Sequence, residues 1–379
     1  MIRAEQRKMY RYLVVLTIAS TLGLESWLTL FNNFAVEVVA LKGNHVGLIQ
    51  SVREIPGFLA FLVVYFLLVV KEHRLSALAI IVLGLGMAVT GLLPSFSGLI
   101  FSTLIMSFGF HYFDTTCDSL TLQYFAEEQS PWVFGKLGSL ASLTNIGVGV
   151  LIFSFSPFLS YAQLYLLIGG MITMAGIWGM TQNPASTNLP PQRKKMVLRK
   201  KYWLFYFLTF MAGARRQIFM AFAVFLLVRN FDFSVREITI LFVINNALIF
   251  FLYPLIGRSI IRFGERKVLS LEYASLIVIF LAYATVHSKM VVALLYVLDQ
   301  VFYNFHIAIQ TYFQKIADPG DIASSISVSF TINHIAAVVL PAIGGVLWMI
   351  DYRIPFVCGA VFSLISLMAV QIIKIKKNV

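Results

Sequence analysis

Charged residues are scarce in this chain of 379 residues. Lys, Arg, Asp and Glu together account for 12% of the sequence, whereas 59% of it is hydrophobic. Soluble domains carry about 25% charged residues, so the composition excludes a chain built mainly of soluble domains. Cysteine is also rare, and Cys117 and Cys358 both lie within apolar stretches. No disulfide framework is indicated.

Motifs typical of enzymes are missing as well. The sequence contains no H-E-x-x-H zinc motif, no G-x-S-x-G nucleophile elbow and no glycine-rich nucleotide loop. We therefore predict that the protein is not an enzyme and that it needs no cofactor and no resident metal ion. Without an ATP-binding motif, any solute transport is expected to draw its energy from an ion gradient.

Long apolar runs dominate the rest of the chain. A helix needs about 20 apolar residues to cross a bilayer, and twelve apolar segments can be counted. They predict an all-α polytopic membrane protein with an N-terminal six-helix bundle at 1–180, a basic linker at 181–202 and a C-terminal six-helix bundle at 203–379. The segments lie near 11–38, 44–70, 75–94, 97–125, 134–157, 160–180, 203–228, 236–260, 268–286, 290–314, 322–348 and 354–373.

The distribution of basic residues predicts the orientation. Of 29 Lys and Arg residues, 21 fall in segments on the side of the N-terminus and five fall on the opposite side. Because cytoplasmic loops carry the excess of Lys and Arg, both termini are expected to be cytoplasmic, in a bacterial inner membrane. The net charge of +12 is then mostly a topology signal. It favours contact with anionic lipid headgroups rather than a nucleic-acid partner.

The fourth apolar segment carries ionisable residues where none would be expected. His111, Asp114 and Asp118 are three and four residues apart, which places them on one helical face. An ionisable group at the bilayer centre costs about 2.5–3.5 kcal/mol, so this face is a candidate functional site. An offset of 188 residues aligns His111 with Asp299 and Asp118 with His306. We predict two similar halves with a transport site at the interface of the repeats.

The loop after the eighth segment resembles a known family signature. Residues 257–267, GRSIIRFGERK, are similar to the cytoplasmic G-x-x-x-D-R-x-G-R-R/K motif of the major facilitator superfamily, with Ile261 in the aspartate position and Glu265 at one arginine position. The resemblance implies two six-helix halves related by pseudo-two-fold symmetry and secondary active transport by alternating access. It also implies that the first, fourth, seventh and tenth spans line a central cavity. The almost purely apolar third, sixth and twelfth spans suit lipid-facing support helices.

Ionisable and polar residues inside the spans are the candidate site. Carboxylates and imidazoles exchange protons, whereas arginine keeps its charge and suits a carboxylate or phosphate group. Adjacent helical residues point about 100° apart, so only one of Arg215 and Arg216 is expected to face the cavity. Arg53 and Glu54 alternatively form an internal pair. The predicted proton-coupling residues are Asp114, Asp118, His111, His306, Asp299 and Glu25. The predicted substrate-binding residues are Arg215, Arg216, Arg53, Asn32, Tyr303, Asn304 and Gln310.

These residues predict a proton-coupled transporter of a small anionic or zwitterionic solute, acting as a monomer in the lipid bilayer. Two alternatives stay open at this point. Efflux of lipophilic drugs is favoured by the 34 Phe residues. Export of a divalent metal ion is favoured by the His and Asp groups of the fourth segment, since both can ligate such an ion.

Overall fold

A computed structural model describes residues 4–41, 43–186, 189–193 and 195–373, and these residues form helices and short connections without a β-strand. This confirms the predicted all-α class. Several basic residues that entered the orientation argument lie outside the described residues. They are Arg3, Lys42, Lys194, Lys374, Lys376 and Lys377.

The helices of the first half follow the apolar segments closely. Their bounds are α1 Ala4–Asn33, α2 Gly43–Phe58, α3 Val63–Phe66, α4 Glu72–Thr90, α5 Phe96–Tyr124, α6 Ser130–Phe155 and α7 Tyr161–Thr181. In the second half the bounds are α8 Trp203–Ile218, α9 Val224–Phe231, α10 Val235–Phe263, α11 Glu265–Thr285, α12 Lys289–Tyr303, α13 Ile307–Ile316, α14 Ile322–Ile350 and α15 Arg353–Val370.

Ten stretches among the described residues are long and apolar enough to cross a membrane. The two other predicted spans correspond to α8 with α9 and to α14. Serine caps fix where several spans begin, because their oxygens accept from backbone N–H groups that have no partner within the helix. Ser95 accepts from the amide of Gly98 before α5, and Ser160 and Ser234 form complete capping boxes before α7 and α10.

Four spans are interrupted by a short turn of different helical geometry. π-helical turns occupy Phe34–Val38 after α1 and Phe219–Ala223 between α8 and α9. 3-10 turns occupy Leu59–Leu62 between α2 and α3 and Asn304–His306 between α12 and α13. Pro56 lies just before the first of these 3-10 turns and removes a ladder hydrogen bond there. Turns of this kind inside helices frequently mark functional positions.

The helix bounds support the repeat but change its register. α5 and α13 end 192 residues apart, α6 and α14 begin 192 residues apart, and so do α7 and α15. The predicted offset of 188 is therefore short by about one helical turn. At the corrected offset Asp114 corresponds to His306, and Asp118 corresponds to Gln310. The predicted correspondence of His111 with Asp299 was wrong.

Helix α4 departs from the prediction of a lipid-facing support helix. It belongs to the third span, and 61% of its apolar window is buried, the largest share among the ten spans. Its glycines allow close backbone contacts: a Cβ on Gly86 would lie 2.4 Å from the amide nitrogen of Met106, and one on Gly169 of α7 would lie 2.4 Å from that of Ala88. Small residues at helix crossings are how membrane helices approach closely, so α4 is a central helix of its bundle.

The signature-like loop between α10 and α11 is short and contains a glycine with a positive φ. Gly264 has φ +81°, a conformation that a residue with a Cβ rarely adopts. The next residue, Glu265, is fully buried, and its Oε1 lies 2.8 Å from the Nζ of Lys315. In the first half Glu72, at the start of α4, accepts a hydrogen bond of 2.7 Å from the Nε2 of Gln123. The two halves therefore share a carboxylate here but differ in its partner.

By its internal contacts the chain divides into two compact units. The first consists of Met1–Phe125, Leu140–Val197 and Pro319–Thr331, and the second consists of Ala126–Ser139, Leu198–Asp318 and Ile332–Val379. Part of the basic linker is ordered within the first unit, where the Nε of Arg193 lies 2.9 Å from a carboxylate oxygen of the fully buried Asp321.

Candidate functional site

The fourth span, α5, is one unbroken helix, so the predicted common face of its ionisable residues is confirmed. His111 is buried, and Asp114 and Asp118 are half-buried. The hydroxyl groups of Thr115 and Thr116 donate to carbonyls one turn earlier, at 2.8 and 2.9 Å. These two threonines therefore satisfy their hydroxyl groups locally without disturbing the backbone ladder.

The candidates of the first two spans separate into paired and accessible groups. Arg53 donates to Glu54 through its Nε at 3.2 Å and its Nη2 at 2.7 Å, and its guanidinium lies 5.4 Å from the ring centre of Trp27. The internal pair left open by the sequence is therefore present. Glu25 is half-buried and Asn32 is exposed. An exposed polar side chain within a span is stable where it faces water rather than lipid.

Arg215 lies at the centre of a polar cluster inside the second unit. Its side chain is 1% exposed, its Nη2 lies 3.5 Å from the Oε1 of Glu272, and its Nη1 donates to the hydroxyl of Ser366 at 2.5 Å. The guanidinium also lies 4.4 Å from the ring centre of Tyr273. Two other helices thus hold Arg215 of α8, because α11 supplies Glu272 and Tyr273 and α15 supplies Ser366. The predicted substrate-binding residue Arg215 is thus enclosed by protein groups in this structure.

Glu272 is the most informative residue that sequence reasoning missed. It is the only charged residue of the predicted ninth span, and its side chain is fully buried. Neither carboxylate oxygen forms a hydrogen bond within the described residues. The signal that could have found it was a single carboxylate within an otherwise apolar stretch.

Asp299 of α12 is a further enclosed carboxylate of this unit. It is 2% exposed, and within the part of the chain that the structure describes its Oδ2 has no hydrogen-bond partner. Arg215 is the cation that acts on it electrostatically. Tyr283 and Tyr296 are both buried, and the charge of Asp299 acts on each of them electrostatically. Two of the buried carboxylates of this unit, Glu272 and Asp299, are thus accompanied by one buried arginine among the described residues.

Arg216, the neighbour of Arg215, has a different environment. Its side chain is exposed, and its guanidinium lies 5.8 Å from the ring centre of Tyr303. Tyr303 stacks on His306 with 4.7 Å between the ring centres. The 100° between adjacent residues therefore turns Arg215 into the bundle and Arg216 out of it. Since a charged side chain does not face lipid at this depth without a large cost, Arg216 faces a water-accessible space.

The tenth span is broken among the predicted site residues. In the 3-10 turn, the side-chain amide of Asn304 donates to the carbonyl oxygen of Gln300 at 2.5 Å, and the Nδ1 of His306 lies 2.8 Å from the carbonyl oxygen of Tyr303. Both side chains thus bond to backbone carbonyl oxygens that would otherwise lack a partner, because the α-helical hydrogen-bond pattern is interrupted here. Asn304 is buried, so its predicted contact with substrate does not fit, whereas Gln310 in α13 is half-buried.

The two arginines of the second unit have different environments. Arg215 carries one positive charge, so it cannot neutralise Glu272 and Asp299 when both are ionised. The Arg216 side chain can receive an anionic group, because its planar guanidinium presents paired donors.

Comparison with known proteins agrees with this architecture. The family model described as Major Facilitator Superfamily matches residues 205–375. A search of the curated proteins finds no significant sequence match. Three solved structures share the fold over nearly their whole length, at sequence identities that support the fold alone.

The human organic anion transporter MFSD10 has a TM-score of 0.79 at 13% identity, over 97% of this chain and 100% of that chain. A bacterial homologue of the iron transporter ferroportin, in its outward-facing state, has a TM-score of 0.78 at 14% identity, over 96% and 98%. The transporter FucP, the E. coli fucose:proton symporter, has a TM-score of 0.77 at 12% identity, over 96% and 97%.

Proposed function

We propose that this chain is a membrane transporter of the major facilitator superfamily, whose family model matches residues 205–375, and that it moves a small anionic solute across the membrane together with protons. Transport proceeds by alternating access, in a monomer with both termini in the cytoplasm of a bacterial cell. The solute binds at Arg216, and the protons bind at carboxylates of the membrane-spanning helices.

One observation carries the proton-coupling proposal. Glu272 and Asp299 are 0% and 2% exposed, and Arg215, the one buried arginine among the described residues, lies 3.5 Å from Glu272. If both carboxylates were ionised, the cluster would hold an uncompensated negative charge, which costs several kcal/mol at such depth. Protonation of one carboxyl removes that charge. The cluster is therefore stable with one bound proton and can release it when its surroundings open to water.

The proposal of an anionic substrate is based on the different environments of the two arginines. Arg215 contacts Glu272, Tyr273 and Ser366, so its charge stabilises the folded protein. Arg216 exposes its guanidinium beside the aromatic ring of Tyr303. A guanidinium with an adjacent aromatic face suits a carboxylate on a small organic molecule. Asp114, Asp118 and Glu25 of the first half remain proposed sites of proton binding, since each is accessible in part.

The test is a thermal-shift screen of the purified full chain against metabolite anions, their neutral analogues, divalent metal ions and lipophilic cations. A ligand that binds the folded state raises the apparent stability by RT ln(1 + [L]/Kd). We expect small organic anions to raise Tm, and we expect Arg216→Gln to remove the response without lowering the Tm of the unliganded protein.

Proton coupling is tested with the best anion from that screen. Its binding in a weakly buffered solution should change the pH, as read with an indicator dye, and Asp299→Asn should remove that change. A Tm response to divalent metal ions alone, or to lipophilic cations alone, contradicts the anionic substrate. Anion binding without proton uptake or release in the unmodified chain contradicts the coupling.

A further inference from the structure

A pocket of about 510 Å³ opens at one end of the second unit. It lies where α9 ends, α14 ends and α15 begins. The span formed by α8 and α9 starts directly after the basic linker, so the pocket is at the opposite membrane surface from the linker. In the predicted orientation this is the external surface. A volume of this size suits a small organic ligand.

Two arginines line the pocket, and both expose their side chains. Arg229 comes from the last turn of α9, and Arg353 is the first residue of α15. Within the described ranges neither guanidinium has a carboxylate oxygen within 4.0 Å. The one acidic residue of the lining, Asp351, accepts a hydrogen bond of 2.9 Å from the backbone amide of Arg353, so its carboxylate is engaged with the helix start. The lining has two positive charges and one negative charge.

Aromatic residues give the pocket a firm wall. Trp348 lines it and stacks on Phe222 with 5.5 Å between ring centres and an interplanar angle of 14°. Tyr352 lies 5.9 Å from the same indole, and the guanidinium of Arg353 lies 5.6 Å from the Tyr352 ring centre. An indole fixed by its neighbours next to two cations presents a flat apolar surface and an electropositive edge. Those are the complementary features of an aromatic or aliphatic carboxylate.

A nearby lysine shows how a cation on the same surface is neutralised. The Nζ of Lys289 lies 2.8 Å from a carboxylate oxygen of Glu237, and it also lies 4.6 Å from the ring centre of Phe233. This lysine is committed to a surface ion pair. The two pocket arginines have no such pairing, which distinguishes them from a cation that only anchors a loop.

We propose that this pocket is an external binding site for small organic carboxylates, separate from the site at Arg216. Arg229 and Arg353 hold the carboxylate, and Trp348 and Tyr352 contact its apolar part. Its role is to concentrate anions at the entrance of the transport route. That role rests on the proposed anionic substrate, whereas the binding site itself does not.

Trp348 provides a direct signal for binding. The purified full chain is titrated with benzoate and, in parallel, with its neutral analogue benzamide. The emission of Trp348 is obtained by subtracting the spectrum of Trp348→Phe, a variant that retains an aromatic ring against Phe222. We expect benzoate to change this emission with an affinity at least about tenfold higher than that of benzamide, since each charged hydrogen bond accounts for a change of that order. Added NaCl should weaken the benzoate response, because exposed charges are screened.

Variants assign the effect to the arginines. Arg229→Gln with Arg353→Gln should weaken benzoate binding at least about tenfold, and each single change should weaken it by less. Lys289→Gln, on the same surface, should leave benzoate affinity unchanged. Equal affinities for benzoate and benzamide, no benzoate response, or an unaltered response in the double variant would each overturn the proposal and leave the arginines as interfacial anchors.

The two proposals fail separately. Arg216→Gln removes the proposed transport site and should leave the Trp348 response intact. Loss of the Trp348 response with retained anion-dependent Tm shifts removes the external site only. Retention of the Trp348 response without any anion transport removes the capture role and the proposed function, but it keeps the binding site.

Discussion

The fourth and tenth spans occupy equivalent places in the two halves, and they use polar residues in different ways. The fourth span is a continuous helix, and its carboxylates at Asp114 and Asp118 remain half-buried. The tenth span is broken by a 3-10 turn at Asn304–His306, and its carboxylate at Asp299 is almost fully buried. A regular helix keeps its polar face accessible here, whereas the broken helix holds a carboxylate deep inside the bundle.

The two spans differ in how a charged group within the membrane is stabilised. Asp299 is enclosed in a unit that also contains the buried cation Arg215, and Glu272 shares that cation. In the fourth span Asp114 and Asp118 are instead only half-buried. We therefore expect changes around the tenth span to affect both stability and coupling, and changes in the fourth span to affect coupling more than stability.

The largest expected effect is on the stability of the second unit, which contains the tenth span. Arg215→Ala leaves Glu272 buried without its cation, and breaking a buried pair in this way costs about 3–5 kcal/mol. Tm measured in detergent should fall strongly. Arg215→Ala combined with Glu272→Gln should recover most of the loss, because the buried charge is removed together with its partner. An unchanged Tm for Arg215→Ala would show that the cluster does not stabilise this unit.

A second effect compares the fourth and tenth spans in their contribution to proton coupling. Asp299→Asn keeps the size of the side chain and removes its proton-binding group. We expect a complete loss of accumulation driven by a pH gradient in proteoliposomes, while exchange of solute between the two sides continues. Asp118→Asn should reduce accumulation only in part, because Asp114 remains nearby on the same face. The reverse order, with Asp118→Asn the more severe change, would place the main coupling site in the fourth span.

A third effect concerns the exposed arginine beside the broken span. Arg216→Lys keeps the charge but loses the two parallel donors of the guanidinium. Solute affinity should fall by about 1.5–3 kcal/mol, the range for a hydrogen bond to a charged group. Binding is measured by calorimetry, and Tm without ligand is measured alongside. A silent Arg216→Lys would mean that only the charge, or neither property, matters at this position.

The smallest expected effect tests the helix break itself. Asn304→Ala removes the side-chain hydrogen bond to the carbonyl of Gln300 and should lower the unfolding free energy by about 1 kcal/mol. Amide hydrogen exchange at residues 304–308 should become faster. The matched change in the continuous fourth span is Thr116→Val, whose hydroxyl bonds a carbonyl already used by the helix, so it should be nearly neutral. Equal effects of the two variants would show that the break has no special dependence on Asn304.

The sequence predicted the class and the twelve spans because both depend on local composition. Long apolar runs such as these form helices in a bilayer, because a helix bonds its own backbone groups. Serines such as Ser95 and Ser160 cap the starts of these helices. The one-sided placement of His111, Asp114 and Asp118 also followed from helical spacing alone. The repeat register did not, because a four-residue shift preserves nearly the same helical face and a few matched residues cannot distinguish the two offsets.

The tertiary structure decided which charged groups are buried and which partners they have. Sequence spacing showed that Arg215 and Arg216 must point in different directions, but the rotation of α8 about its axis is set by the helices packed around it. Only those neighbours brought Glu272 from α11 and Ser366 from α15 against Arg215. The sequence by itself thus determined where the helices lie along the chain, since hydropathy and capping act locally. The packing determined the charge cluster, since the partners of a buried ion come from residues distant in sequence.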